Sequence, residues 1–305
     1  MVKNYFSTPK PATSTGKLPY TLTNDYLFRA VFQSRPKALE GLCRSVLHLA
    51  PGDRISVSLR NPVELGTQID NKEFILDLAV IINDNIFLNL EMQVYHDPFW
   101  VDRSLSYTCR SFDSLNRGES YQQVLPAIHV GFLNYTLFPE YPEFFATYQM
   151  ANVSNPATPY IYSDKLRISV VNLTQTENAT EENKTAGIDL WARVFNATTW
   201  EEIEMLAQNN EYLQEAVSGV RQLTEDEKIR QQCQAREDFA YWERMRNNRM
   251  REQDEELQKK EAILLEKDAT ILQLEQNCSN LQEDLAHALE RIKELEQLEK
   301  RQSNN

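Results

Sequence analysis

The chain has 305 residues, of which 41% are hydrophobic and 25% charged, and its net charge is −13 at pH 7. It has no apolar run as long as a membrane-spanning helix or the core of a signal peptide, so we expect a soluble cytoplasmic protein with no membrane partner. Its four cysteines are dispersed without a CxxC pair, which argues against a zinc cluster and a disulfide framework. The acidic balance provides no broad basic footprint, so any contact with nucleic acid must use a local patch.

The chain begins with a segment that has no regular pattern. Residues 1–19 are rich in Pro, Ser, Thr and Lys, which predicts a flexible N-terminal segment. Two short helices are predicted after it. Thr23 and the two residues that follow offer an N-cap for a helix over roughly residues 23–34, and a second helix begins at about Pro36.

Strands and one longer helix follow. The spacing of apolar residues predicts strands at 55–60, 73–82, 86–94, 124–133 and 166–173, and a helix at 98–116. The buried face of that helix is expected to include Phe99, Leu105, Tyr107, Phe112 and Leu115. Pro126 indicates that strand 124–133 is an edge strand or contains a bulge. This order of elements predicts an α/β fold.

Strands 73–82 and 86–94 are separated only by Asn-Asp-Asn, which predicts a hairpin. A three-residue loop pairs Ile82 with Ile86, and the same register places Asp77 directly opposite Glu91. Gln93 projects from the same face as Glu91 because side chains alternate along a strand. Directly opposed residues have Cβ atoms about 4.5–5.5 Å apart, so the two carboxylates should repel each other unless something compensates their charge.

Three kinds of compensation are open for this pair. The carboxylates could share a proton, could be neutralised by Lys72 or Arg103, or could bind a hard divalent cation. In the last case Mg²⁺ would be held by Asp77 and Glu91, and it would activate water for attack on a phosphodiester. Gln93 would orient the water or the phosphate.

Other hydrolase chemistries are excluded by the dispersed histidines. His48, His96, His129 and His287 form no HExxH pattern, and no motif of a serine or cysteine nucleophile is recognisable. His96 follows the hairpin and is interpreted as a structural residue.

The C-terminal part of the chain is predicted to be helical. Short helices are expected at 187–195, 198–207 and 209–219, and the absence of Gly and Pro after Thr224 predicts one very long helix or two in series. Two sets of residues repeat every seven positions: Leu257, Leu264, Ile271, Cys278, Leu285 and Ile292 in one, and Leu274, Leu281, Ala288 and Leu295 in the other. Such heptads predict a coiled coil at about 257–298 and a parallel homodimer.

Several motifs in order resemble one protein family. The similar segments are LTNDYLFRAVF at 22–32, NPVE at 61–64, DNKEFILDLAV at 70–80, NLEMQ at 89–93, RSLSYTCRSF at 103–112 and RGESYQQVLPAIHVGFL at 117–133. Together they resemble the recombination-promoting nuclease and transposase family of the PD-(D/E)XK superfamily, over roughly residues 20–175. The resemblance implies a restriction-endonuclease-like core, a mixed sheet flanked by helices, that cleaves DNA with Mg²⁺ or another divalent cation.

The resemblance also implies roles for individual residues. Asp77 matches the acidic residue of the second core strand, and Glu91 and Gln93 match the E-x-Q triplet, in which Gln stands where the wider superfamily usually has Lys. Asp25 matches an acidic residue of the first helix that either helps the metal or caps the helix. Arg103 and Tyr107 match the helix after the hairpin, where Arg could bind phosphate and Tyr could stack or hydrogen-bond.

These observations predict a domain order and a function. The expected order is a flexible segment at 1–19, a nuclease-like core at 20–175, a short helical region at 176–222 and a long helix at 223–305. The expected function is that of a metal-dependent DNA endonuclease. The alternative is a catalytically inactive nuclease fold that acts as a coiled-coil interaction module, which the acidic surface and the missing Lys favour.

Overall fold

The structure, a computed structural model, describes residues 7–60, 63–64, 74–75, 78–113, 120–154 and 157–302. These residues form two compact units, one that extends to Tyr241 and one that begins at Trp242. The helices are α1 Asp25–Ser34, α2 Pro36–Val46, α3 Trp100–Phe112, α4 Glu181–Ala186, α5 Ile188–Asn196, α6 Trp200–Ala207, α7 Glu211–Glu225 and α8 Glu227–Gln302. The strands are β1 Val57–Leu59, β2 Val63–Glu64, β3 Phe74–Ile75, β4 Leu78–Ile82, β5 Ile86–Gln93, β6 Ala127–Leu133, β7 Phe145–Asn152 and β8 Tyr160–Asn172.

Six of the described strands form one mixed sheet. Their order is β1-β4-β5-β6-β8-β7, and β2 pairs with β3 separately. Strands β5, β6 and β8 are parallel to one another, whereas β1, β4 and β7 pair antiparallel with their neighbours. This mixed sheet with flanking helices and a long C-terminal helix confirms the predicted fold class.

The hairpin of β4 and β5 has the predicted register. Ile82 pairs with Ile86, and Leu78 pairs with Leu90. In the loop, Asn83 and Asp84 have φ values of 49° and 56°, a left-handed conformation that Asn and Asp adopt more readily than most residues. The register is confirmed up to Leu78, and Asp77 lies outside the described residues.

One face of the sheet packs against the main hydrophobic core. There the even-numbered residues of β5 meet α1 and helices from the second half of the unit. Phe28 of α1, Phe132 of β6 and Phe195 of α5 form a cluster in which the ring centroids are 5.2–5.8 Å apart. The odd-numbered residues of β5 therefore face the opposite side, which is the side that carries the candidate site.

Helix α3 covers that opposite side, and its buried face agrees with the prediction in part. Tyr107 packs against Ala79 and Phe87 of the sheet, Phe112 is half-buried, and Leu115 lies outside the described residues. Phe99, at the N-cap, and Leu105 are exposed, and the residues that face the sheet are Trp100, Ser104, Thr108 and Ser111. The hydroxyls of Ser104 and Thr108 donate to the carbonyls of Val101 and Ser104, so these small residues can be buried without a lost hydrogen bond. The prediction was wrong for Phe99 and Leu105 because it was based on large apolar residues and did not consider small residues that can also be buried.

The sheet differs from the prediction in two further respects. Strand β6 lies in the middle of the sheet, and Pro126 precedes it, where its missing N–H costs no ladder bond and its carbonyl accepts from Phe87. Strand β7 was not predicted at all. It is a largely exposed edge strand, so its sequence lacks the apolar alternation of a buried one.

The described part of the N-terminal segment makes specific contacts with residues far along the chain. Leu18 is buried, and its N–H donates to the carbonyl of Thr198. Ser7 donates to Asp238 of α8, and Lys10 pairs with Glu237 at 2.7 Å. These contacts join residues without helical or strand periodicity to the C-terminal half of the chain.

Of the two arrangements predicted after Thr224, the structure has the single very long helix, α8, which follows α7 after the extended residue Asp226. From Trp242 onward α8 forms a unit of its own, and the apolar heptad residues with described side chains are exposed along it. Across the described residues, no helix combines the length and the hydrophobicity that a membrane span needs.

Candidate active site

A row of polar side chains crosses an otherwise apolar part of β5. Asn89, Glu91 and Gln93 alternate with Leu90 and Met92, and they face α3. Asn89 and Glu91 are buried, Glu91 with 7% of its surface exposed, whereas Gln93 is half-buried. The row therefore runs from the interior toward solvent, with the carboxylate in its middle.

Arg103 is the basic partner of this carboxylate. Its Nη2 lies 2.5 Å from Glu91 Oε1 and also donates to Gln93 Oε1 at 2.9 Å. Its Nη1 donates to Asp97 Oδ2 at 2.7 Å, and Gln93 in turn donates to the carbonyl of Tyr95 at 2.8 Å. Arg103 therefore neutralises Glu91 among the described residues, and Lys72, the other basic residue considered for this role, lies outside them.

The oxygen of Glu91 that Arg103 leaves free has no hydrogen bond to any described residue. This atom, Oε2, is buried. Burial raises the pKa of Glu91, and the neighbouring guanidinium opposes that rise. A buried carboxylate oxygen that accepts no hydrogen bond is rare in proteins. Such an oxygen is the kind of ligand that Mg²⁺ prefers.

His129 is a member of this cluster that the sequence analysis did not single out. Its Nδ1 lies 2.8 Å from Asn89 Nδ2, and its Nε2 lies 3.3 Å from Glu91 Oε2 without the alignment of a hydrogen bond. Burial, together with the charge of Arg103, lowers the pKa of His129 to about 3, so the ring is neutral. With Asn89 donating to Nδ1, the neutral ring carries its proton on Nε2, toward Glu91.

No local pattern marks His129 in the sequence. It stands in the apolar strand β6, 38 positions after Glu91 along the chain, and it joins the site only because β5 and β6 pair in parallel. Once that pairing is known, the alternation of side chains along β6 places His129 on the same face as Gly131 and Leu133, which is the face of the site.

Tyr107 lies at the edge of the cluster and Asp25 lies elsewhere. The ring of Tyr107 is 6.3 Å from His129 and packs against Ala79 and Phe87. Asp25 accepts from the N–H of Tyr26 and lies 3.5 Å from the Nε of Arg236. The described contacts therefore do not join Asp25 to Glu91.

The cap of α1 is supplied by Asn24, whose side chain accepts from Leu27 N–H. Asp25 is the first helical residue, where a negative charge favours the helix dipole. No described contact gives it a second role in the site.

A family comparison decides what kind of protein carries this site. The family model described as PD-(D/E)XK nuclease family transposase matches residues 22–248, which is most of the chain. The chain belongs to this family. No curated protein and no solved structure matches it significantly. Membership supports a nuclease- or transposase-like function and implies DNA as the substrate.

PD-(D/E)XK nucleases typically use divalent metals, and the described residues of this chain fit a metal site in part. Glu91 fits, because its free oxygen is buried and unpartnered among the described residues. The described residues contain no group of three His, Cys, Asp or Glu side chains that could hold a metal by themselves. Asp77, the second predicted ligand, is outside them.

The close approach of α3 to the sheet depends on Gly131, which pairs with Glu91 across β5 and β6. A Cβ at this position would overlap the ring of the buried Trp100. We expect Gly131→Ala to lower the free energy of unfolding by about 1–3 kcal/mol, because overpacking displaces Trp100 and the helix that carries Arg103. Urea denaturation measures this change.

The matched control is Gly52→Ala, because nothing lies within 4 Å of a Cβ at Gly52. It should change the free energy of unfolding by less than about 1 kcal/mol. A second change, Trp100→Leu in the Gly131→Ala protein, should remove the overlap and make the two substitutions non-additive. Equal stability of Gly131→Ala and the unmodified protein would contradict the packing argument.

Proposed function

We propose that this protein is a metal-dependent DNA endonuclease that hydrolyses phosphodiester bonds. The observation that carries the proposal is Glu91, a carboxylate buried in the central strand of a nuclease-family fold with one oxygen unpartnered among the described residues. Retaining a charged group there costs stability, which is expected of a functional position rather than a structural one.

Glu91 and Asp77 are the proposed metal ligands. The continued register of β4 and β5 would place Asp77 across from Glu91, which supports the pairing. A bound Mg²⁺ or other divalent cation would supply activation of a water molecule and stabilisation of the charge on the phosphodiester.

The other residues of the site position the reacting groups. Gln93, held by the Tyr95 carbonyl on one side and by Arg103 on the other, would orient water or phosphate. Arg103 is partly exposed and has a planar guanidinium suited to a phosphate, and Asp97 fixes one of its nitrogens. The neutral ring of His129, whose Nε2 lies 3.3 Å from Glu91 Oε2 without forming a hydrogen bond, would limit the movement of that carboxylate by packing beside it.

A catalytically inactive nuclease fold remains the second candidate, because one observation favours it. Arg103 already neutralises Glu91, so the carboxylate can persist without a cation. Incubation of the purified chain with supercoiled plasmid, with Mg²⁺ or with EDTA, separates the two candidates. Nicking that requires Mg²⁺ supports the endonuclease, and its absence at micromolar protein supports the inactive fold.

A substitution at Gln93 tests the site through a variant that is expected to remain active. Gln93→Lys should retain or raise the nicking rate, because Lys restores the charge that is usual in the superfamily. Gln93→Leu should lower the rate by at least about ten-fold, since it removes both amide hydrogen bonds. Initial rates of plasmid nicking measure both. Loss of all cleavage in the Lys variant would show that the amide geometry itself is required.

We further propose that the C-terminal helix forms a parallel homodimer. The exposed apolar heptad residues of α8 are the support, because a single solvated helix gains nothing from such a stripe. Joining two nuclease cores would hold them at high local concentration on both strands of a duplex.

A further inference from the structure

One stretch of α8 departs from the acidic character of the chain. Residues 244–251 contain four arginines and no acidic residue, in a protein whose net charge is −13. Just before them stands Trp242, and Met245 lies among them. This is the kind of local basic patch that an acidic protein needs if it is to approach a polyanion.

Four of these residues share one face of the helix. Trp242, Met245, Arg246 and Arg249 stand at positions i, i+3, i+4 and i+7, which align along an α-helix. All four are exposed, Trp242 and Met245 with 51% of their surface. We name these four residues the arginine face.

The charges of the arginine face are available to a partner. Arg246 pairs with Glu243 at 3.0 Å, but both side chains are largely solvated, and an exposed pair of this kind contributes little free energy. Counted back by sevens from Leu274, the second heptad set falls on Lys267, Lys260, Gln253 and Arg246, all of which are polar. Arg246 therefore continues a seam position, but the apolar character of that set ends at Leu274 and does not reach the arginine face.

We propose that the arginine face binds the sugar-phosphate backbone of duplex DNA. Arginine matches phosphate with two parallel N–H donors, and each phosphate neutralised releases counterions. Trp242 and Met245 supply apolar contact beside those charges. The choice of DNA over another polyanion rests on the proposed endonuclease function, which requires a docking surface on an otherwise acidic chain.

The first test measures the affinity of the full chain for DNA. Binding to a fluorescently labelled 30-base-pair duplex is followed by anisotropy in EDTA, which prevents cleavage, over a series of salt concentrations. Arg246→Gln with Arg249→Gln should weaken binding by roughly 10–100-fold at low salt and reduce the slope of log K against log salt by about two.

The matched control is Lys259→Gln with Lys293→Gln. It removes the same two charges from exposed positions of the same helix, away from the heptad seam. This control should keep the slope and change the affinity by less than about three-fold, since it alters only the long-range field. Equal effects of the two pairs, or none from either, would overturn the proposal.

A second readout follows from the tryptophans. Trp100, Trp191 and Trp200 are each 1% exposed, so acrylamide should quench mainly Trp242. Duplex DNA should shield Trp242 from acrylamide in the unmodified chain but not in the double Gln variant. Equal shielding by anionic phosphatidylserine vesicles or by poly-glutamate at the same salt concentration would overturn the assignment to DNA.

The outcome for this surface is separable from that for the endonuclease. A chain that nicks plasmid with Mg²⁺ while its double Gln variant binds DNA normally would overturn the arginine face and leave the proposed function intact. Shielding of Trp242 by DNA in a chain that does not nick would overturn the proposed function and support the surface.

Discussion

Glu91→Gln is expected to reduce Mg²⁺-dependent plasmid nicking by at least about 1000-fold, because it removes the charge of a proposed metal ligand. The amide has the same shape as the carboxylate, and its oxygen can still accept from Arg103. The change therefore isolates charge from packing. Asp77→Ala should cause a loss of similar size if the two carboxylates share one metal.

Stability distinguishes loss of chemistry from loss of fold in this test. Glu91→Gln should leave the free energy of unfolding within about 2 kcal/mol of the unmodified protein, since it removes a buried charge but leaves Arg103 with one carboxylate partner fewer. Glu177→Gln is the control, because Glu177 is an exposed residue that pairs only with Arg193 among the described contacts. A Glu91→Gln protein that nicks at the unmodified rate would remove Glu91 from the proposed mechanism.

The part of the site that could be predicted from the sequence is the part made by neighbours along the chain. Asn83 and Asp84 fix the loop, the loop fixes the register of β4 and β5, and the register fixes which residues share a face with Glu91. Each step is local. Arg103 could be predicted as a neutraliser of this pair because it follows the hairpin closely along the chain.

The part that was missed depends on pairings that no short segment encodes. His129 and Gly131 reach Glu91 through the parallel pairing of β5 with β6, whose connection runs over α3. The burial of Ser104 and Thr108 depends on how near α3 comes to the sheet, which Gly131 permits. The pattern of apolar residues in a sequence predicts which large side chains are buried. It does not predict where small residues allow a helix to approach a sheet closely.

The two candidate functions differ in whether Arg103 or a metal ion neutralises Glu91. Its guanidinium stabilises the Glu91 charge in the chain alone, and a metal bound to Glu91 would compete with it. Since Arg103 is also anchored by Asp97 and partly exposed, release from Glu91 would leave it placed to contact a phosphate. In an inactive fold the same guanidinium would remain a structural partner of Glu91 and Asp97.

Replacing both Leu281 and Leu285 with Asp is expected to convert the proposed dimer into a monomer. Both leucines are more than 60% exposed in the single chain and stand at adjacent seam positions of α8. Four charges would enter the seam of a dimer, and burying them costs far more than the seam contributes there. Light scattering at micromolar concentration measures the mass. Single-strand nicking should persist while double-strand breaks decrease, because two cores are no longer held together.

The matched control for this change is Asn280→Asp with Ala286→Asp, which adds the same charge to exposed positions outside the seam and should leave the dimer intact. The direction of the helices can be read from Cys278, an exposed seam residue, because Cys43 and Cys233 are buried. In a Cys109→Ser protein, a short bismaleimide should join two chains through Cys278 only if the helices are parallel and in register. An unmodified protein that is monomeric by light scattering and is not cross-linked would show that the tail does not dimerise, since the seam would then stay solvated in a single helix.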